Sequence, residues 1–236
     1  MQIIYEDNHL LAVNKKASEI VQADKTGDLC LTHQVKSFLI KRDKRPGDVF
    51  LVPIHRLDRP VSGVVLFART SKALTRMNEL FRTRDVKKNY LAICGTIPSP
   101  ESGTITSYLK KNEAKNFSYI VKEGTKDSKL ARLEYSLVGV STNYCLLAIK
   151  LETGRHHQIR VQLSSIGCPI RGDLKYGYPR SNKDGGIDLH SRSIEFIHPV
   201  KKELIKIVAP LPTTNPLWDF FKQSLGEFES QVEETN

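Results

Sequence analysis

Hydrophobic residues along this chain fall mainly into short runs with the length and composition of β-strands. Two such runs flank the turn-forming residues 6–8, and a continuous apolar run at 64–68 is typical of a strand buried on both faces. This succession predicts a large, mostly antiparallel mixed β-sheet. Its further strands, each bounded by turn or charged residues, are predicted at 89–97, 103–109, 117–121, 131–140, 143–152, 192–199 and 204–210.

Other segments carry apolar residues at the spacing of an α-helix. One helix is predicted to begin at Asp28, a favourable N-cap residue, and a second near Ser71. A third covers 157–167 and ends at a glycine, and the last begins near Asn215. The inward residues of this last helix are predicted to be Leu217, Phe220 and Phe221.

The strands and helices together predict an α+β fold, in which a central sheet is flanked by helices and loops. No internal repeat or long linker interrupts the chain, so residues 1–226 are predicted to form one domain. The polar, acidic segment 227–236 is predicted to be disordered.

The charge balance indicates a polyanion as a candidate partner. The chain has 36 Lys+Arg against 26 Asp+Glu, a net charge of +10, which favours binding to a polyanion but is equally compatible with a role in solubility alone. The basic residues gather in loop-like stretches at 41–48, 82–88 and 110–129. Separate basic patches fit a long, folded polyanion better than one small anion.

Cysteine usage and hydropathy indicate the compartment. The four cysteines are far apart without metal-ligand spacing, and three lie in apolar runs, so we expect reduced core residues. No apolar run reaches the roughly 18 residues that span a bilayer, and the N-terminus lacks the charged start of a signal peptide. The sequence therefore predicts a cytoplasmic protein that does not associate with membranes.

The segment HRLDRPVSG at 55–63 places one histidine, two arginines and one aspartate directly before the buried strand. A lone Leu-Asp-Arg triplet is most often structural, as a turn cap or an ion pair. Here, however, HRLDRPVSGVVLFA resembles the catalytic motif of RluA-type RNA pseudouridine synthases, in which an aspartate precedes a Ser-Gly turn. Other motifs of the family occur in order: VNKKASE, KNYLA, TGRHHQIRV, GDLKYG and LHSRSIEFIHP.

The resemblance extends from about Ile3 to Pro210, and the number and order of its motifs argue against a chance match. The chain departs from the usual pattern at four positions, which are Lys16, Ser18, Val61 and His156. Many relatives carry an S4-type RNA-binding module before the catalytic domain. We expect none here, because the first family motif begins near Met1.

The resemblance implies that the chain isomerises uridine to pseudouridine. This reaction breaks the C1′–N1 bond, turns the base and rejoins it through C5, and it needs no cofactor. Asp58 matches the family's catalytic carboxylate, and whether it attacks the sugar, adds to the base or removes a ribose proton remains open. Arg160 matches the arginine that pairs with this carboxylate, and Tyr90 matches the tyrosine that stacks on uracil and assists loss of the C5 proton.

The implied substrate is a tRNA or rRNA stem-loop, bound by a monomer that flips one uridine out of the stack. Arg56 matches an arginine that fills the space left by the flipped nucleotide, although a phosphate clamp is nearly as plausible. The basic stretches are predicted to add RNA contacts. The predicted RNA-binding residues are Arg56, Arg155, Lys41, Arg42, Arg45, Arg82, Arg84 and Lys87.

The histidines have less specific interpretations. His55 is predicted to cap the loop that carries Asp58 through a backbone hydrogen bond, with little direct role in catalysis. His156 and His157 are adjacent, but no other ligand lies at a matching spacing, so we expect no metal site.

Three other functions make different predictions from that of a pseudouridine synthase. An RNA-binding protein without turnover would not need the intact Asp58, Tyr90 and Arg160. A glycosidase-like enzyme would release free uracil, which product analysis detects. A metabolic enzyme that binds small anions would be expected to carry a glycine-rich phosphate loop, and neither GxxxxGK[ST] nor GxGxxG occurs in the sequence.

Overall fold

The computed structural model describes residues 1–24, 27–44 and 46–234. Its secondary structure, in chain order, is β1 (Gln2–Glu6), β2 (Leu10–Lys15), α1 (Leu31–Arg42), β3 (Val52–Pro53), β4 (Ser62–Ala68), α2 (Ser71–Thr83), β5 (Lys87–Cys94), β6 (Ser102–Asn112), β7 (Phe117–Val121), β8 (Lys129–Val140), β9 (Cys145–Leu151), α3 (Gln158–Ser165), β10 (Leu189–Ile197), β11 (Leu204–Val208), α4 (Pro216–Phe220) and α5 (Lys222–Glu234).

The chain divides into two compact units. Unit 1 consists of Met1–Lys88 and Ser191–Pro210, and unit 2 consists of Asn89–His190 and Leu211–Asn236. Both units combine antiparallel strand pairs with helices, so the predicted α+β class is confirmed. That 1–226 act as one catalytic domain stays a prediction.

In unit 1 the strands follow the order β1–β2–β4–β10, with β11 beside β10 and β3 beside β4. Every residue of β4 is buried, as its continuous apolar run predicts. On one face of these strands, Leu66 of β4 and Phe196 of β10 pack in one core cluster with Ala73 and Met77 of α2. This packed core adjoins the strand that follows the loop between β3 and β4.

In unit 2 the strand order is β5–β9–β8–β6–β7, and each neighbouring pair is antiparallel. Leu91 and Ile93 of β5 pack against Trp218 and Phe221 of the C-terminal helices. A second apolar cluster, around Val161 of α3, lies against β6 and β8. The helices therefore cover both faces of part of this sheet.

The predicted N-cap of the first helix, Asp28, is wrong by two residues, because the N-cap is Cys30. α1 begins at Leu31, and the N–H groups of Leu31 and Thr32 donate to the carbonyl oxygens of Ile20 and Val21, at 2.7 and 3.1 Å. Backbone carbonyls thus replace the expected side-chain cap. Asp28 instead forms an ion pair with Arg59, at 2.7 Å.

The C-terminal region also differs from its prediction. Asn215 caps α4 as expected, but Phe220 is 58% exposed, and Trp218 is buried with Phe221 instead. Residues 227–234, where a disordered tail was predicted, belong to α5. Buried Leu225 and the Gln223–Glu227 hydrogen bond, one helical turn apart, stabilise this helix.

The expectations for the cysteines are confirmed, since all four are free thiols and buried. Across the described residues, no helix is long and apolar enough to span a bilayer.

Candidate active site

Asp58 lies in the loop between β3 and β4 of unit 1. The N–H of Val61 donates to the carbonyl of Asp58 at 3.0 Å, which closes a turn with Arg59 and Pro60 at its centre. The N–H of Ser18 donates to the carbonyl of Arg59 at 2.9 Å. The backbone that carries the half-buried Asp58 side chain is therefore fixed from both sides.

A buried lysine holds the same turn from below. Lys15, at the end of β2, is 1% exposed, and its ammonium donates to the carbonyls of Lys16, Arg59 and Val61 at 2.9, 3.1 and 2.7 Å. Burial lowers the pKa of Lys15 to about 8, while the negative charges of Glu19 and Asp58 oppose this shift. The lysine thus provides both an anchor for the loop and a positive charge near Asp58.

Ser62 and Gly63 do not form the expected turn but begin β4. Gly63 pairs with Lys15 across the sheet and has a φ of +114°. A Cβ atom at this position would lie 2.2 Å from the carbonyl oxygen of Ser191 in β10. Only glycine permits this close approach of the two strands.

His55 caps the loop, as predicted. Its Nε2 accepts a hydrogen bond from the N–H of Leu66 at 3.1 Å, and its ring stacks on Phe81 at a centroid distance of 5.5 Å. Burial lowers the pKa of His55 to about 4, with a smaller contribution from Lys88, so the imidazole stays neutral. Arg56, between His55 and the turn, is exposed.

Tyr90 lies in β5 of unit 2 and is 7% exposed. Its register partner is Ile149, which in turn pairs with Tyr135 of β8. Residues that pair directly point to the same face of a sheet. By this alternation Tyr90 shares the face of Ala131, which packs against α3.

Arg160 of α3 is buried in unit 2 with a carboxylate partner. Its Nε and Nη2 donate to the two carboxylate oxygens of Asp173 at 2.7 and 2.8 Å, and the side chains are 6% and 1% exposed. The guanidinium also lies 5.0 Å from the ring centroid of Tyr176. This bidentate arrangement fixes the orientation of Arg160. Whether Arg160 also pairs with Asp58 stays a prediction.

The start of α3 is held by a hydrogen-bond network. The hydroxyl of Tyr176 contacts Nδ1 of His157 at 2.8 Å and donates to the carbonyl of Ser118 in β7 at 3.1 Å. His156 stacks on His157 at 3.8 Å and contacts Asn116 and Ser118 through its ring nitrogens. Burial and the charge of Arg160 lower the pKa of His157 to about 2, so this ring is neutral.

The predicted RNA-binding residues occupy different surroundings. Arg42 pairs with Glu6 and Asp43, Arg82 with Glu79, and Lys87 with Glu195 at 2.7 Å. Arg84 ends α2 in a left-handed conformation, Nε of Arg155 donates to the carbonyl of Leu130, and Lys41 is exposed. Arg45 lies outside the described residues.

Sequence reasoning missed two charged residues that position the others. Lys15 and Asp173 lie within VNKKASE and GDLKYG, two motifs that resemble those of the family. Their place in these motifs was the one sign in the sequence that they contribute to the site. Charged side chains are rarely buried, so periodicity gave no reason to place either one inside. Among the described residues, no three His, Cys, Asp or Glu side chains group as metal ligands.

Comparison with known proteins identifies the family. Residues 9–165 match a family model described as RNA pseudouridylate synthase. The chain is 34% identical over 229 residues to tRNA pseudouridine synthase C of Haemophilus influenzae, covering 89% of this chain and 93% of that protein. It is 33% identical to ribosomal large subunit pseudouridine synthase C of Rickettsia prowazekii, covering 89% and 68% of the two chains.

The chain belongs to the RluA-type family of RNA pseudouridine synthases. Solved structures agree, since human RNA pseudouridylate synthase domain containing 4 matches this synthase with a TM-score of 0.75 and 26% identity, covering 95% of this chain and 92% of the human one. A second human protein, RNA pseudouridylate synthase domain containing 1, matches with a TM-score of 0.71 and 26% identity, covering 93% and 86%. The synthase is therefore an isomerase that acts on RNA.

Proposed function

We propose that this synthase converts a specific uridine of a structured tRNA or rRNA stem-loop to pseudouridine, with Asp58 as the catalytic carboxylate and without a cofactor. The observation that carries the proposal is the environment of Asp58, whose turn is held by the buried ammonium of Lys15. A carboxylate with a fixed backbone and a nearby positive charge suits covalent or base catalysis. The two classes of RNA come from the names of the bacterial relatives.

The chemistry assigned to Asp58 is assistance in breaking the C1′–N1 bond. The carboxylate either bonds to the substrate or removes a ribose proton, and it releases the product once C5 has rejoined C1′. Attack on the sugar, addition to the base and the glycal route all require it in the ionised form. All three routes also predict that an amide in its place abolishes turnover.

Tyr90 and Arg160 are proposed to act with Asp58 on the same uridine, as the family resemblance implies. The ring of Tyr90 offers a stacking surface for uracil, and its hydroxyl is a candidate for moving the C5 proton. Arg160 is proposed to pair with the Asp58 carboxylate, and its orientation is already fixed by Asp173. Tyr90→Phe is expected to keep RNA binding and slow the proton step, whereas Tyr90→Ala is expected to weaken stacking as well.

Exposed Arg56 is proposed to enter the RNA stack in place of the flipped nucleotide. This role requires a planar cation beside the catalytic turn, and Arg56 lies two residues before Asp58, the first residue of that turn. Arg56→Ala is expected to weaken product formation on a base-paired uridine more than on the same uridine in an open loop. A phosphate clamp would weaken both substrates equally.

The test of the proposed function combines a target search with an inactive variant. The gene is deleted in its host, pseudouridines are mapped across total RNA by a carbodiimide-based readout, and the strain is complemented with wild type, Asp58→Asn or Asp28→Asn. Asp28 contacts Arg59 of the same turn and serves as the matched control. A site lost on deletion, restored by wild type and Asp28→Asn but not by Asp58→Asn, is the expected result.

Two outcomes would overturn the proposal. Restoration of the site by Asp58→Asn would remove the carboxylate from the mechanism, and release of free uracil from purified RNA would indicate a glycosidase. Deletion of an RNA-binding protein without turnover would remove no pseudouridine, so the absence of any lost site would favour that alternative. Sedimentation of the purified protein tests the further expectation that it works as a monomer, and fluorescence of a tagged copy tests the cytoplasmic location.

A further inference from the structure

One end of the unit 2 sheet, formed by β6, β7 and β8, has two faces of different character. Cross-strand partners point to the same face, and Lys110 is paired with Tyr119, while Tyr108 is paired with both Val121 and Leu130. Arg132, two residues beyond Leu130, points the same way. We call this surface the β6–β8 face, and its residues are Tyr108, Lys110, Tyr119, Val121, Leu130 and Arg132.

The opposite face of the same strands is the one that α3 covers. Nε2 of Gln162 donates to Oγ of Ser107 at 2.9 Å and to the carbonyl of Ala131 at 3.1 Å. Leu109 and Ala131 pack there with Val161 of α3. Since Leu109 and Ala131 alternate with Lys110 and Leu130 along their strands, the β6–β8 face points away from α3.

Helix α5 packs against the far end of β8. A Cβ atom at Gly139 would lie 3.0 Å from the Ser224 side chain, which shows how closely α5 packs there. At the other end of β8 and on β7, the apolar side chains are open to solvent, with Tyr119 38% and Leu130 37% exposed. An exposed aromatic ring and an exposed leucine on one sheet face are a candidate contact surface.

The charges of this surface favour an anionic partner. Lys110 has no carboxylate partner among residues 1–24, 27–44 and 46–234, and the same holds for three lysines of the adjoining segment 122–129. The nearby acids are already engaged, because Glu123 accepts a hydrogen bond from the hydroxyl of Tyr108, Glu134 pairs with Lys150 at 3.2 Å and Glu152 pairs with Arg132 at 3.0 Å. The three lysines, all exposed, are Lys122, Lys126 and Lys129.

We propose that the β6–β8 face binds a single-stranded stretch of the RNA substrate, with a base stacked on Tyr119 and phosphates contacting Lys110 and the lysines of segment 122–129. The proposal rests on the proposed function in taking RNA as the substrate. Sheets that present aromatic rings between cations bind single strands in this way, because every base offers a face to stack and every nucleotide carries a charge. A second binding surface on the sheet would position the stem-loop without touching the uridine that reacts.

The test measures binding rather than turnover, so that it stands independently of the role of Asp58. A fluorescein-labelled RNA hairpin is prepared with and without a single-stranded flank of about ten nucleotides, and its Kd is measured by anisotropy over a range of salt concentrations. The variants are Tyr119→Ala combined with Lys110→Glu, and Tyr119→Phe, which keeps the ring. The control combines Phe220→Ala with Lys72→Glu, which removes an exposed aromatic residue and an exposed lysine elsewhere.

Wild type is expected to bind the flanked hairpin more tightly than the bare one. The Tyr119→Ala, Lys110→Glu protein is expected to lose roughly 10- to 100-fold in affinity for the flanked RNA and to bind both RNAs equally. Its salt slope should fall by about one for each lost phosphate contact. Tyr119→Phe and the control protein are expected to retain the preference for the flank.

Equal affinity of wild type for the two hairpins, or an unchanged Kd in the double variant, would overturn the proposal. Loss of the preference in the control protein as well would do the same, because the effect would then be general. If wild type sediments as a dimer that the double variant converts to a monomer with unchanged RNA affinity, the occupant is a second copy of the chain. If the Asp58→Asn protein were active, by contrast, the proposed function would be overturned and this binding result would still stand.

Discussion

The ammonium of Lys15 donates a hydrogen bond of 2.7 Å to the carbonyl of Val61, at the end of the turn that carries Asp58. The same ammonium also holds the carbonyl of Arg59, so one buried side chain spans the turn. Because Lys15 is the last residue of β2, these hydrogen bonds tie the turn to the end of that strand. Stability and catalysis are therefore expected to depend on the same lysine.

We expect Lys15→Met to lower the free energy of unfolding by about 2–4 kcal/mol, because the apolar chain leaves buried carbonyls without a donor. The displaced turn should also lower kcat by roughly 10- to 100-fold. Urea unfolding and single-turnover kinetics measure the two effects. Lys16→Met, at an exposed neighbouring position, is the control and should change neither. Wild-type kcat in Lys15→Met would show that the anchor is dispensable.

Asp173→Asn tests the support of Arg160. The amide has one acceptor oxygen, so it cannot accept both N–H bonds, and the buried guanidinium loses its counter-charge. We expect a loss of about 3–5 kcal/mol in the free energy of unfolding. At temperatures where the variant is folded, kcat should fall while the Kd for RNA stays near the wild-type value.

The control for this variant is Asp219→Asn, which changes an exposed aspartate of α4. It should unfold and turn over like wild type. A fully stable Asp173→Asn protein would contradict the inference that the Asp173 carboxylate holds the buried guanidinium of Arg160.

Strands and helices that are encoded by a local pattern of apolar residues were predictable from the sequence. The apolar run of β4 and the periodic residues of α2 both fold as expected, because a strand buried on both faces and an amphipathic helix have distinct patterns. The cap of α1 was not predictable, since the N–H groups of Leu31 and Thr32 bond to the carbonyls of Ile20 and Val21, each eleven residues earlier. No residue preference at the helix start encodes such a partner.

The candidate site shows the same division. The turn around Asp58 was found because its motif is contiguous and resembles a family. The roles of Lys15 and Asp173 depend on contacts with residues 46 and 13 positions away in the sequence. Such contacts depend on tertiary structure, and a lysine or aspartate read by itself is most often an exposed residue.

Gly63→Ala probes the contact between β4 and β10. The added Cβ would meet the Ser191 backbone at 2.2 Å, and the φ of +114° is one that alanine rarely adopts. Strain and overpacking together should cost about 3 kcal/mol or more in the free energy of unfolding. Gly124→Ala is the matched control, because its φ of +79° is also positive but nothing lies within 4 Å of the added atom. It should cost only about 1–2 kcal/mol, and equal losses in the two variants would argue against the steric contact.

The neutral imidazole of His55 predicts a dependence of stability on pH. Burial lowers its pKa in the folded protein from 6.5 to about 4. As the pH falls through this window, the unfolded chain takes up a proton that the folded chain does not, so the free energy of unfolding falls by up to about 1.4 kcal/mol per pH unit.

His55→Gln keeps an acceptor for the N–H of Leu66 but does not titrate. Urea unfolding between pH 4.5 and 7.5 should therefore give a shallower slope for His55→Gln than for wild type. Identical slopes in wild type and His55→Gln would mean that His55 accepts a proton in the folded state as readily as in the unfolded one.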